Sequence, residues 1–249
     1  MDEDLARMPE DWRRALAVVA HPDDLEYGGA AAVAEWVAQG REIRYLLVTH
    51  GEAGIDGLEP GRCARVREAE QRASAAAVGV REVEFLDHRD GIIEEGPRLR
   101  ADIAEAVRRH QPELVITLNH HDQWGHGAWN TPDHRAVGRS VLDAVGDAGN
   151  RWIFPEQLRA SGQREALTPW GGVRWVAVAG SPHADHQVEV SETSFEAAVS
   201  SLCAHDAYIR GLGEGDPVGY ARDFLAMTMR QTSAEDGGRW AVSFELFPR

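Results

Sequence analysis

Four residues have the types and spacing to do chemistry together: His21, Asp23 and Asp24 in one short turn, and His134 far downstream. Two imidazoles and one carboxylate that leave a fourth position open are the ligand set of a catalytic zinc site. An ion in such a set lowers the pKa of a bound water to about 7. Asp23, adjacent to the ligands His21 and Asp24 but displayed on another side of the turn, is then free to act as a general base. The bland alternatives are a solvated Asp-rich turn at 21–24 and a satisfied core histidine at 134. Neither explains why an imidazole and two acids stand together.

These residues need elements that deliver them to one place. Residues 15–20, Ala-Leu-Ala-Val-Val-Ala, are an unbroken apolar run, as expected of a strand buried on both faces of a parallel sheet. His21-Pro22-Asp23-Asp24 therefore sits at a strand's carboxyl end, where open α/β sheets bind ligands. Gly28-Gly29 then leads into a helix over 30–38. Strands follow at 43–49, 83–86 and 113–118, alternating with helices at 62–78 and 99–110. Each strand runs into a polar segment: Thr49-His50-Gly51-Glu52-Ala53-Gly54, Asp87-His88-Arg89-Asp90-Gly91 and Asn119-His120-His121-Asp122. Thr131 is an N-cap candidate and Pro132 a first-turn residue for a helix over 132–145. There His134, Val137, Val141 and Val145 share a face at i, i+3, i+7 and i+11.

The alternation predicts an α/β fold, a Rossmann-like, mostly parallel sheet with helices on both faces, plus a C-terminal extension of strands and a helix. We expect a single domain over 1–249, with an α/β core at 1–147 and a substrate-covering, C-terminal part at 148–249. Within the latter, 151–172 has no clean periodicity and is expected to hold a short helix in an irregular excursion. Strands are expected at 173–179 and 187–190, a helix at 191–210, loops at 211–219 and 231–238, and an edge strand at 241–247.

Composition removes several classes. A net charge of −15 argues against nucleic acid or an anionic membrane as partner. All 26 basic residues are arginine, which excludes a Walker-type lysine and Schiff-base chemistry. Gly-Gly after the first strand is not the G-x-G-x-x-G of dinucleotide binding. Cys63 and Cys203 lie far apart and suggest no disulfide framework, and no run approaches the roughly 18 apolar residues of a membrane span. A cytoplasmic protein without membrane insertion is expected, with a homo-oligomer left open.

At these residues the chain resembles the PIG-L/LmbE-like N-deacetylases, which include N-acetylglucosaminyl-phosphatidylinositol de-N-acetylases and the deacetylases of mycothiol and bacillithiol biosynthesis. Ala20-His21-Pro22-Asp23-Asp24 matches the family's AHPDD signature, and residues 49–54 its T-x-G-E-x-G segment. Arg67-Glu68-Ala69-Glu70 resembles its R-x-x-E helix, Phe85-Leu86-Asp87 through Asp90-Gly91 its FLD…DG strand end, and Pro132-Asp133-His134-Arg135 its PDHR. Ser201-Leu202 with Ala204-His205 and Tyr208 is similar to a late helix. The resemblance implies zinc held by His21, Asp24 and His134, Asp23 as base, and removal of an N-acetyl group from an amino sugar or its conjugate. It also implies that Arg67 and Asp90 bind sugar hydroxyls. His205, on the late helix, is a pocket candidate with packing as its alternative.

One position departs from the family pattern. A histidine linked to transition-state stabilisation or proton donation often precedes the PDH, and here Thr131 stands there. A threonine hydroxyl cannot serve as a cationic acid near neutral pH. Candidate replacements are His120, His121 and His126 in the loop 119–130, and His186 after the strand at 173–179. Two other readings remain open: an amidase acting on a thiol conjugate or natural-product glycoside, and a non-catalytic metal- or nucleotide-binding regulatory module. A mere binder has no need of a base at Asp23.

Overall fold

The structure is a computed structural model that describes residues 5–160, 165–231 and 240–249. The chain runs β1 (Ala6–Arg7), β2 (Arg14–Val19), α1 (Asp24–Gly28), α2 (Ala30–Ala38), β3 (Glu42–Leu47), α3 (Pro60–Ala77), β4 (Val83–Phe85), α4 (Pro97–His110), β5 (Leu114–Leu118) and α5 (Pro132–Gly149). A 3-10 turn, Pro155–Leu158, is the short helix of the irregular excursion. Then come β6 (Trp175–Ala179), β7 (His186–Val190), α6 (Glu192–Cys203), α7 (Asp206–Gly211), α8 (Pro217–Thr228), β8 (Arg230–Gln231) and β9 (Trp240–Pro248). No helix among the described residues is long and apolar enough to cross a membrane.

The strands form one sheet in the order β1-β7-β9-β6-β5-β2-β3-β4, with β8 pairing β9. From β6 through β5, β2 and β3 to β4 every pairing is parallel, and β9 runs antiparallel to β6 and β7. Both faces are covered, which is why β2 reads as a continuous apolar run. Leu16 and Val18 enter the core under α4 and α5, whereas Ala15, Ala17 and Val19 enter the one under α2, α6 and α8. β2 lies between β3 and β5, so the chain winds away from it in both directions. A crevice opens at the carboxyl ends of β2 and β5, the place where such sheets hold ligands.

Three expectations for the C-terminal part need correction. Residues 241–247 are not an edge strand: β9 is paired along one edge with β7 and along the other with β6 and, at Trp240 and Ala241, with β8. Ala241 and Phe244 are buried there, and the C-terminal strands extend the same sheet. The helix expected over 191–210 is two helices broken at Ala204 and His205. α8, inside and beyond the loop expected at 211–219, is started by Asp216, whose carboxylate accepts from Gly219 N, with Pro217 in its first turn. The loop expected at 231–238 lies, except for Gln231, outside the described residues.

Candidate active site

The turn after β2 is built around Asp24. Its Oδ2 accepts the backbone N–H groups of Ala20 and His21, each at 2.9 Å, which leaves Oδ1 free. That free oxygen lies 3.0 Å from His134 Nε2 and 3.6 Å from His21 Nδ1. Asp23 is the N-cap residue of α1 but makes no cap hydrogen bond; its backbone is left-handed, φ 86° and ψ −19°. That conformation costs a non-glycine residue on the order of 1 kcal/mol or more, and it turns Asp23 away from its neighbour. Gln71 of α3 holds the turn in place by accepting the Asp23 N–H at 2.9 Å.

The hydrogen-bond partners fix which ring nitrogens carry protons. Asn130 donates both amide hydrogens to Asn119 O and His121 O, so its Oδ1 must be the acceptor opposite His134 Nδ1 at 3.0 Å. His134 therefore donates from Nδ1 and turns a lone pair at Nε2 toward Asp24. His21 Nε2 faces two carboxylates, Asp133 Oδ2 and Asp90 Oδ1, each at 3.1 Å, so it donates there and its Nδ1 turns a lone pair toward Asp24. With both imidazoles neutral, three acceptor atoms thus converge, all within 4.8 Å. Two atoms each about 2.1 Å from a tetrahedral ion stand about 3.4 Å apart, close to the two separations here, so this donor set fits a divalent cation. Carboxylate–histidine pairs of this kind behind the ligands orient the rings.

The electrostatics favour positive charge at this point. Burial opposes a charged His21, but Asp24, then Asp133 and Asp90, outweigh it and raise its pKa well above the usual imidazole value. Burial also opposes ionised Asp24, and His134 and His21 hold its pKa far below the usual carboxylate range. A field that binds a proton this strongly also attracts a metal cation. Asp23 behaves differently: burial pushes its carboxyl up to about 6, against the pull of the Arg67 guanidinium. Its Oδ2 is buried, makes no hydrogen bond and lies 3.3 Å from Arg67 Nη2.

Arg67 crosses from α3, donates to Pro22 O, and stacks on the Tyr208 ring with its central carbon 3.9 Å from the ring centre. Gly54 makes room for it, since a Cβ there would stand 2.7 Å from Arg67 Nη1. Asp90 Oδ2 accepts from Ala53 N at 2.8 Å, tying the segment after β4 to the one after β3. The Thr131 hydroxyl accepts from His134 N, so it caps α5.

A cavity of about 730 Å³ opens over these groups, lined by His21, Asp23, Asp24, Arg67, Asp90 and His134 among others. His126 lines it too, at the tip of a small hairpin closed by the Gln123–Trp129 bridge, and Trp124 packs edge-on against the His134 ring. The other candidate histidines lie outside its lining. His120 is packed so tightly on α5 that a Cβ at Gly138 would stand 2.6 Å from its own Cβ. His121 pairs with Glu245 Oε2 at 2.7 Å, and His186 with Asp185 at 2.8 Å. His205 is fully buried behind the turn, with its Nε2 3.9 Å from Glu26 Oε2.

Sequence reasoning assigned no part to Asp133, Asn130 or Gln71. Asp133 is fixed by Gly91 N at 2.7 Å and Ile93 N at 3.0 Å while its carboxylate faces His21. The Pro-Asp-His spacing could have pointed to Asp133. Nothing local marks Asn130 or Gln71.

Known proteins are similar to this chain. The family model described as GlcNAc-PI de-N-acetylase (PIG-L) matches residues 16–145. The chain is 30% identical over 145 residues to a diacetylchitobiose deacetylase of Thermococcus kodakarensis, covering 56% of this chain and 51% of that one. It is 32% identical over 171 residues to the 1D-myo-inositol 2-acetamido-2-deoxy-alpha-D-glucopyranoside deacetylase of Geodermatophilus obscurus, covering 58% and 56%. The chain spans about half the length of the curated relatives it matches. A solved structure of the N,N'-diacetylchitobiose deacetylase of Pyrococcus horikoshii shares the fold, with a TM-score of 0.79 at 20% identity over 96% of this chain and 85% of that one.

Proposed function

The chain belongs to the GlcNAc-PI de-N-acetylase (PIG-L) family, and from that premise we propose that it is a zinc-dependent hydrolase that removes an N-acetyl group from an amino sugar or amino-sugar conjugate. The observation that carries this reading is a buried carboxylate, Asp23, whose Oδ2 accepts no hydrogen bond, beside three converging metal-ligand atoms. His21 Nδ1, Asp24 Oδ1 and His134 Nε2 would hold the ion. Bound there, zinc supplies Lewis acidity to the amide carbonyl and lowers the pKa of a water to about 7.

The chain's own groups do the rest. Asp23, with its pKa pushed up to about 6, takes the proton of the attacking water and holds it. The new bond joins the water oxygen to the carbonyl carbon and the C–N bond breaks. The nitrogen leaves with a proton from Asp23 or from His126, the candidate histidine that lines the cavity. The products are acetate and a free amine. Arg67 and Asp90, on the same side of the cavity, offer a cation and a carboxylate to the hydroxyls of the sugar.

The test is acetate release from a panel of N-acetylated amino sugars and their conjugates, run with metal-stripped and zinc-reconstituted protein. Activity that disappears on chelation and returns with zinc is expected. Undiminished activity after stripping to below a tenth of an ion per chain would overturn the metal assignment. His126→Ala should lower kcat more than it raises KM, about tenfold, as the loss of a transition-state contact does.

A further inference from the structure

The cavity is larger than an acetamide requires, and its two walls differ. On the β3–β4 side of β2 it is polar, with Arg67, Asp90 and Tyr208. On the β5–β6–β9 side it continues as a recess walled by Leu118, Leu225, Met229, Val242 and Ala31. Among the described residues, no Asp, Glu or Arg lines that recess. Ala31, Leu225 and Val242 belong to the hydrophobic core, so core side chains floor the recess, with Thr228 exposed at its rim. Ser243 and Thr228 are the hydroxyl-bearing residues beside that apolar floor; sugar hydroxyls laid on the floor itself would lose water without gaining partners, whereas an apolar chain would lose nothing.

An amide carries two groups, and the walls sort them. With the scissile bond over the carboxyl end of β2, the amine-bearing sugar belongs against the polar wall, where its hydroxyls find Arg67 and Asp90. The acyl group then extends the other way, under Leu118 and toward β9. Resting on the amide-hydrolase reading above, we propose that the substrate class is wider than N-acetyl: the recess binds an apolar acyl chain of medium length, and the chain is an N-acyl amino-sugar deacylase.

Burying a methylene is worth about 0.8 kcal/mol, or about fourfold, so selectivity for chain length should be steep until the recess is full. The experiment measures kcat/KM for N-acetyl-, N-butanoyl-, N-hexanoyl- and N-octanoylglucosamine, and, by calorimetry, the affinities of acetate and octanoate. At least a tenfold rise from acetyl to hexanoyl is expected, with octanoate binding at least 100-fold more tightly than acetate. Val242→Phe should cut the hexanoyl-to-acetyl ratio at least tenfold. Thr228→Phe, placed at an exposed residue of the recess lining so that folding is spared, should cut it in the same direction. A flat or falling series with octanoate no tighter than acetate would overturn the acyl assignment and leave the N-acetyl hydrolase standing. A gain confined to the octyl glycoside of N-acetylglucosamine would also overturn it, by putting the aglycone in the recess. If no amide in the series is cleaved, the hydrolase reading fails, and the carboxylate affinities decide the recess independently.

Discussion

Among the described residues, two arginines are buried almost completely, Arg67 at 2% exposure and Arg108 at 1%, and they are treated in opposite ways. Every guanidinium nitrogen of Arg108 is used. Nε donates to Ala148 O, Nη1 to Phe154 O and Gln157 Oε1, and Nη2 to the carbonyls of Asp147, Asn150 and Ile153, all between 2.7 and 3.2 Å. The charge caps the carbonyls at the end of α5 and pins the chain that follows. Arg67 has one hydrogen-bonded nitrogen, an aromatic face and an imperfectly aligned carboxylate, and its Nε and Nη1 have no partner. Desolvating a guanidinium costs several kcal/mol, which Arg108 recovers through its bonds and Arg67 recovers only in part. Polar groups left unsatisfied beside a cavity are held ready for something else, and Asp23 Oδ2 is in the same condition.

The contrast can be broken first at the cavity end. His134→Ala or Asp24→Ala should abolish turnover together with metal content; full zinc occupancy by elemental analysis in both variants would sink the ligand assignment. Asp23→Asn comes next, with an expected loss of about 10²–10⁴-fold in turnover and the metal retained, because the amide is isosteric but cannot take a proton. Turnover within a few-fold of the unaltered chain would mean that the base is elsewhere. Asp133→Asn removes a carboxylate that orients His21 and should weaken zinc binding about 10–100-fold in a competition titration against a chelator.

The smallest effects set the two arginines side by side. Arg108→Met leaves several carbonyls buried without a donor and should cost about 3 kcal/mol, or about 6–12 °C in Tm, with kcat per folded molecule unchanged. Arg67→Met should move Tm by less than about 3 °C while raising KM about tenfold. Equal losses of stability in the two variants would erase the distinction between a structural and a functional guanidinium.

The α/β core was legible because its signals are local. β2 and β5 are short apolar runs, and α5 announces itself through Thr131-Pro132 and its i, i+3, i+7 face. The C-terminal part was less so. Nothing in residues 241–247 says that β9 enters between β6 and β7, since strand position is set by partners distant in sequence. The break between α6 and α7 falls at His205, which is buried against Glu26 of α1, a tertiary contact with no periodic signature.

Residue type and order alone determined that an imidazole and two carboxylates follow a doubly buried strand, and that a second imidazole opens a helix after another strand. Those properties rest on hydrophobic period, capping and composition, which act over a few residues. Only the tertiary structure decided which atoms meet. It set His21 Nδ1 and His134 Nε2 on one oxygen of Asp24 through Asp133, Asp90 and Asn130, and turned Asp23 aside by a left-handed backbone held from α3. It also placed His126 in the cavity lining and left His120 and His121 outside it. Hydrogen-bond direction and burial depend on neighbours from five different segments of the chain, and spacing along one segment carries no record of them.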